Sequence, residues 1–117
     1  MLHKEETAIV DGMCPEMFFA FGIIEEEFAK ETLEATLTAG RDGDHNPGSL
    51  HARGYAGDFR NSNCTPDQEA RIFAGLQKRL ERRGFDVINE AAGQTAKTTA
   101  KHFHIEYQPK PGEEFWS

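Results

Sequence analysis

Residues 49–58 read SLHARGYAGD, and a second histidine cluster, His102-Phe103-His104, follows nearer the C-terminus. Imidazole and carboxylate are the donors that hold zinc in hydrolases, where three protein ligands leave one coordination position open for water. His51, Asp58 and His104 supply such a set, so the pattern predicts one divalent-metal site with Zn2+ as its ion. Gly54 allows a tight turn between His51 and Asp58, and Ala56, two residues before Asp58 on the same strand face, leaves space beside the ion. Side chains alternate along a strand, so His102, His104 and Glu106 share one face while Phe103 and Ile105 point into the core. A metal ligand and a non-ligand base then stand side by side. His3 and His45 are read as surface or hydrogen-bonded histidines, and Arg53, Arg60 and the charges of the second helix as a solvated face.

The elements that must position these groups alternate helix and strand without internal repeats. Met17, Phe21, Ile24 and Phe28 recur at helical spacing, so residues 15–30 are predicted as a core-packing helix that accepts Pro15 in its first turn. Leu33, Ala35 and Leu37 alternate with Glu34, Thr36 and Thr38 as in a strand with one buried face, ended by Gly40. Residues 41–50 concentrate Gly, Asp, Asn and Pro and read as an irregular loop. Residues 55–60 form a short strand. Thr65-Pro66-Asp67-Gln68 is a capping box that opens a second helix, with Ile72, Phe73, Leu76 and Leu80 as its buried stripe. That helix runs to about Arg83 and stops at Gly84. Residues 85–89 and 102–107 are strands, separated by the small, polar stretch 91–101 and closed by Pro109 and Pro111. This order predicts an α+β fold, a small antiparallel sheet of about four strands backed by two main helices.

Size and charge bound the function. A chain of 117 residues supports one domain with a single core. With 13 Lys+Arg against 20 Asp+Glu the formal charge is −7, which offers no basic surface for a phosphate backbone, so nucleic acid is not an expected partner. Cys14 and Cys64 are too few for a disulfide framework and are read as reduced thiols. The acidic N-terminal residues do not resemble a signal peptide and no window has membrane-span length, so synthesis in the cytoplasm without membrane insertion is expected.

SLHARGYAGD resembles the zinc signature of the D-alanyl-D-alanine metallopeptidases, in the superfamily that also holds lysostaphin-type endopeptidases and the hedgehog domain. Ser49, His51, Gly54, Ala56 and Asp58 fill its fixed positions, and with the closing HFHIEY strand the resemblance covers about residues 15–109. It implies a hedgehog-like fold and a zinc peptidase that cuts peptidoglycan stem or cross-link peptides beside a D-amino acid, with His51, Asp58 and His104 on the metal. The chain departs from the D-Ala-D-Ala branch at Lys101, where many members carry a glutamate. The His102-x-His104 form is instead similar to the lysostaphin-type and penicillin-insensitive endopeptidases, which implies His102 as the residue assisting the water.

Glu90, closing the preceding strand, is the second candidate for general base. The resemblance implies Arg41 as the cation that stabilises the oxyanion, with a solvated loop charge as the alternative, and Ser49 as the partner of a substrate carboxylate or a brace of the loop; Glu106 is expected to orient a ligand histidine. Two readings remain open: a D,D-carboxypeptidase or endopeptidase, endolysin-like and delivered to the cell wall by a phage or an export route, and a non-catalytic zinc-binding module on the same scaffold.

Overall fold

Two proline-opened helices and a twisted sheet account for the computed structural model, which describes residues 3–4, 10–40, 54–90 and 102–109. The expected loops 41–50 and 91–101, and with them Arg41, Ser49 and His51, lie outside the described residues. The elements are β1 (His3–Lys4), α1 (Pro15–Ala29), β2 (Thr36–Ala39), β3 (Ala56–Arg60), α2 (Pro66–Leu80), a 3-10 turn at Glu81–Arg83, β4 (Phe85–Glu90) and β5 (His102–Tyr107).

Helix α1 forms where expected because its apolar residues fall on one stripe: Met17, Ala20, Phe21, Ile24 and Phe28 are all buried. Its end is closed by backbone bonds from Lys30 N to Glu26 O and from Leu33 N to Phe28 O. Thr32 turns the chain there with φ 59, a left-handed position more often given to glycine. Helix α2 starts at the predicted capping box: Gln68 N donates to Thr65 Oγ1 at 3.2 Å and Thr65 N to Gln68 Oε1 at 2.9 Å. Ile72, Leu76 and Leu80 are buried, and Phe73, partly buried, stacks on Phe103 at 6.1 Å between ring centroids. Gly84, with φ 91, ends the segment after the 3-10 turn, as the sequence suggested.

The strands lie in the order β1-β2-β3-β5-β4. In the four from β2 to β4 each strand is antiparallel to its neighbours, and β1 adds two residues parallel to β2. That fifth strand escaped the sequence because two residues carry no alternation. The strand expected from Leu33 begins later, at Thr36, since Leu33 still bonds to the helix end; Ala35 and Leu37 are nonetheless buried, as the alternation required. Between Leu37 and Ala39 the register with β3 shifts. An irregularity of this kind lets one strand bend without breaking the ladder.

The two sheet faces differ sharply. Ala35, Leu37, Phe59, Phe85, Val87, Phe103 and Ile105 point to one side and, with Met17, Ile24, Phe28, Leu76 and Leu80 of the helices, form the core. On the other face stand Thr36, Thr38, Asp58, Arg60, Asp86, Ile88, Glu90, His102, His104 and Glu106. The result is an α+β fold, with both helices on one side of the sheet. Cys14 and Cys64 are not disulfide-bonded. Among the described residues no helix is long and apolar enough to cross a membrane.

Candidate metal and acid–base site

Strand register assembles the polar face into three cross-strand rows. Asp58 of β3 pairs with His104 of β5, which pairs with Ile88 of β4; Arg60, His102 and Glu90 form the row on one side; Ala56, Glu106 and Asp86 form the row on the other. Directly opposed residues lie close enough for their side chains to touch. A spacing of 46 residues along the chain thus becomes a contact, His104 Nδ1 to Asp58 Oδ1 at 2.8 Å. The ring's other nitrogen, Nε2, is 3.0 Å from Glu106 Oε1. His102 Nε2 lies 3.2 Å from Glu90 Oε2 and 3.8 Å from Asp58 Oδ1. All five side chains are partly buried.

The electrostatics of His104 follow from this enclosure. Burial disfavours its charged form, but the hydrogen bond and charge of Asp58, and then Glu106, outweigh burial and raise its pKa above the ordinary histidine value. A positive charge is therefore welcome between these two carboxylates. A proton on the ring satisfies that demand, and so does a divalent cation displacing it.

Asp58 and His104 fit the donor chemistry of zinc, one carboxylate oxygen and one imidazole nitrogen facing each other across adjacent strands. Glu106 occupies the position of an outer acceptor, which fixes the ring of a ligating histidine. Among the described residues no group of three or more His, Cys, Asp and Glu side chains is arranged to hold a metal ion. The third expected ligand, His51, lies outside the described residues, as do Ser49 and Arg41. The two candidate bases, His102 and Glu90, which the sequence offered as alternatives, are brought into contact with each other.

The site's framework is fixed from below by Gly54. Its φ is +84, and a Cβ there would stand 2.5 Å from Gly12 O and 2.9 Å from Met13 Cα. Its carbonyl accepts from Cys14 N at 2.9 Å, tying the entry to β3 against the start of α1. The positive φ at Gly54 fits the tight turn read from the sequence, of which residues 51–53 lie outside the described residues, and close packing on residues 12–14 is a second reason for glycine. From the other edge, Thr38 Oγ1 donates to the Asp58 carbonyl at 3.3 Å, beside the register shift in β2.

Asp86 and Ile88 belong to the same face and were not singled out in the sequence. Counting back from Glu90 with the strand period of two would have found both. Ile88 is 41% exposed, an apolar side chain set among charged neighbours beside His104. Compared with protein-family models, with curated proteins and with solved structures, the chain matches none.

Proposed function

We propose that the protein is a zinc-dependent peptidase acting on peptidoglycan stem or cross-link peptides next to a D-amino acid. The observation that carries this reading is the juxtaposition, on one sheet face, of the Asp58–His104–Glu106 chain with the His102–Glu90 pair. The first is a ligand pair with an orienting acceptor and the second an acid–base unit. The signature SLHARGYAGD contributes the substrate class and the third ligand, His51.

Asp58, His104 and His51 would hold the ion, and Glu106 keeps the His104 ring in place by accepting at Nε2. Zinc bound there supplies Lewis acidity toward a water and toward the scissile carbonyl. His102 takes the proton from the attacking water and returns it to the leaving amine, and Glu90, 3.2 Å away, stabilises the imidazolium between those two transfers. Arg41 would face the developing oxyanion and Ser49 a substrate carboxylate, both by resemblance. The place of action is the cell wall.

The test is digestion of purified muropeptides by zinc-loaded protein, followed by mass spectrometry, with zinc content measured on each variant. His102→Ala is expected to retain zinc and to lose about 10²–10⁴-fold in peptide cleavage, whereas Asp58→Ala and His104→Ala lose the zinc itself. Zinc binding without cleavage of any muropeptide would refute the peptidase and leave the non-catalytic zinc module.

A further inference from the structure

On the outer side of the helical layer, away from the polar sheet face, α1 presents two aromatic rings to solvent, Phe18 at 49% and Phe19 at 39% exposure. With Gly22 and the buried Ile23 they line a groove of about 440 Å3, whose other wall is Arg79, Arg82 and Arg83 from the end of α2 and its 3-10 turn. A Cβ built on Gly22 would meet no atom within 4 Å, so the groove stands open along α1. Its volume falls within the roughly 300–1,000 Å3 of clefts that hold ligands.

The groove is cationic on an acidic protein. Three arginines line it against one carboxylate, Glu26, whereas the chain as a whole has a formal charge of −7. Arg79 is held by Glu26 at 2.6 Å and by Glu27 at 2.7 Å. Arg83 is placed differently: its guanidinium lies 5.5 Å from the centroid of the Phe19 ring and its Nη1 donates to the Arg79 carbonyl, and among the described residues no carboxylate pairs with it. Desolvation, and then the like charges of Arg82 and Arg79, hold its pKa below the ordinary arginine value. A carboxylate arriving there relieves that repulsion.

Aromatic rings and arginine are the groups enriched where proteins meet. A membrane surface calls for rings that project together from a cationic plane, but here rings and guanidinium groups stand on opposite walls of one concave groove. A small inorganic anion would leave the aromatic wall unused. We propose that this groove docks an acidic segment of a partner protein, one that carries an aromatic or large aliphatic side chain between carboxylates. The apolar side chain packs on Phe18, Phe19 and Ile23, and a carboxylate takes Arg83 in a charge-assisted fork, with Arg82 adding its field. The helices separate this surface from the sheet face that bears Asp58 and His104, so docking does not depend on the metal site.

The probe is a short fluorescein-labelled peptide, Glu-Glu-Phe-Leu-Glu-Glu, titrated with the full chain and read by fluorescence anisotropy, beside versions with lysine for glutamate and with serine for the apolar pair. Saturable binding is expected of the first peptide alone, weakening as salt is added. Arg83→Glu should weaken it about 10–100-fold, and Phe18→Ser with Phe19→Ser about 30-fold, while the far-ultraviolet circular dichroism stays unchanged. The lysine peptide should bind Arg83→Glu more tightly than it binds the unaltered chain, which a merely misfolded variant would not do. Absence of saturable binding by the acidic peptide overturns the proposal, and so does an affinity that these variants leave in place. Binding to phosphatidylglycerol vesicles in place of the peptide overturns it in favour of a membrane surface. Self-association of the chain that Phe18→Ser with Phe19→Ser abolishes, without peptide binding, overturns it in favour of a second copy.

Discussion

His104 concentrates the residue-scale argument, because both its ring nitrogens are engaged by carboxylates and only one of them, Asp58, is expected to share the ion. Glu106 then acts through the ring. Its change to glutamine should keep the fold but weaken zinc about 10–100-fold, measured by competition with a calibrated chelator; unchanged affinity would show that Glu106 does not orient the ligand. Gly54 carries a different kind of necessity. Gly54→Ala must both hold a left-handed backbone, at about 1–2 kcal/mol, and displace Gly12 and Met13, so the urea midpoint should fall by more than the backbone term alone gives. These residues were legible in the sequence because their types and spacings are chemically unusual. The contact between His102 and Glu90 was not, since it depends on β4 pairing with β5 in one particular register. Residues 91–101 separate those strands, and no local pattern states how their ends meet.

At the scale of elements, the packing of α1 on α2 turns on a buried acid. Glu27 is 5% exposed, and its Oε2 lies 2.7 Å from both Lys30 Nζ and Arg79 Nη1. It fits because Gly75 of α2 has no side chain; a Cβ there would collide with the Glu27 carboxylate. Burial works to raise the Glu27 pKa, but the hydrogen bonds and charges of Lys30 and Arg79 outweigh it and leave it below the ordinary 4.5. A carboxyl whose pKa is depressed by folding stabilises the folded state above its unfolded value and loses that contribution as pH falls through the folded one. Stability should therefore decline below about pH 4.5, and Glu27→Gln should flatten this acid limb in denaturation curves taken across pH. Glu27→Ala should cost roughly 1–2 kcal/mol, less than breaking a fully buried pair, because Lys30 is exposed and Arg79 keeps Glu26. Both helices were legible from apolar spacing, Pro15 and the Thr65 capping box. Glu27 was not, for it sits within a run of acids that reads as surface, and its burial is decided by a glycine on another helix.

For the molecule as a whole, the helices cover one sheet face and the other holds the candidate site, so core and chemistry are built from alternate residues of the same strands. Phe59, Phe103 and Ile105 secure the strands whose intervening residues, Asp58 and His104, meet across β3 and β5. The α+β class was legible for that reason: the same period of two that buries a core places the polar side chains opposite it. The candidate ligand pair exists only once β3 and β5 have paired, so an ion held by it would bind the folded chain and not the unfolded one. At a free zinc concentration 100 times Kd, this linkage contributes about 2.7 kcal/mol. For a domain of this size the corresponding rise in melting temperature is roughly 10 °C. Thermal melts of chelator-treated protein with graded zinc should show a rise that grows with the logarithm of zinc concentration. Asp58→Ala and His104→Ala should abolish it, and His102→Ala should preserve it, separating the groups proposed to hold the ion from the group proposed to move the proton. A rise of equal size in the Asp58→Ala, His104→Ala double variant would place the ion elsewhere on the chain.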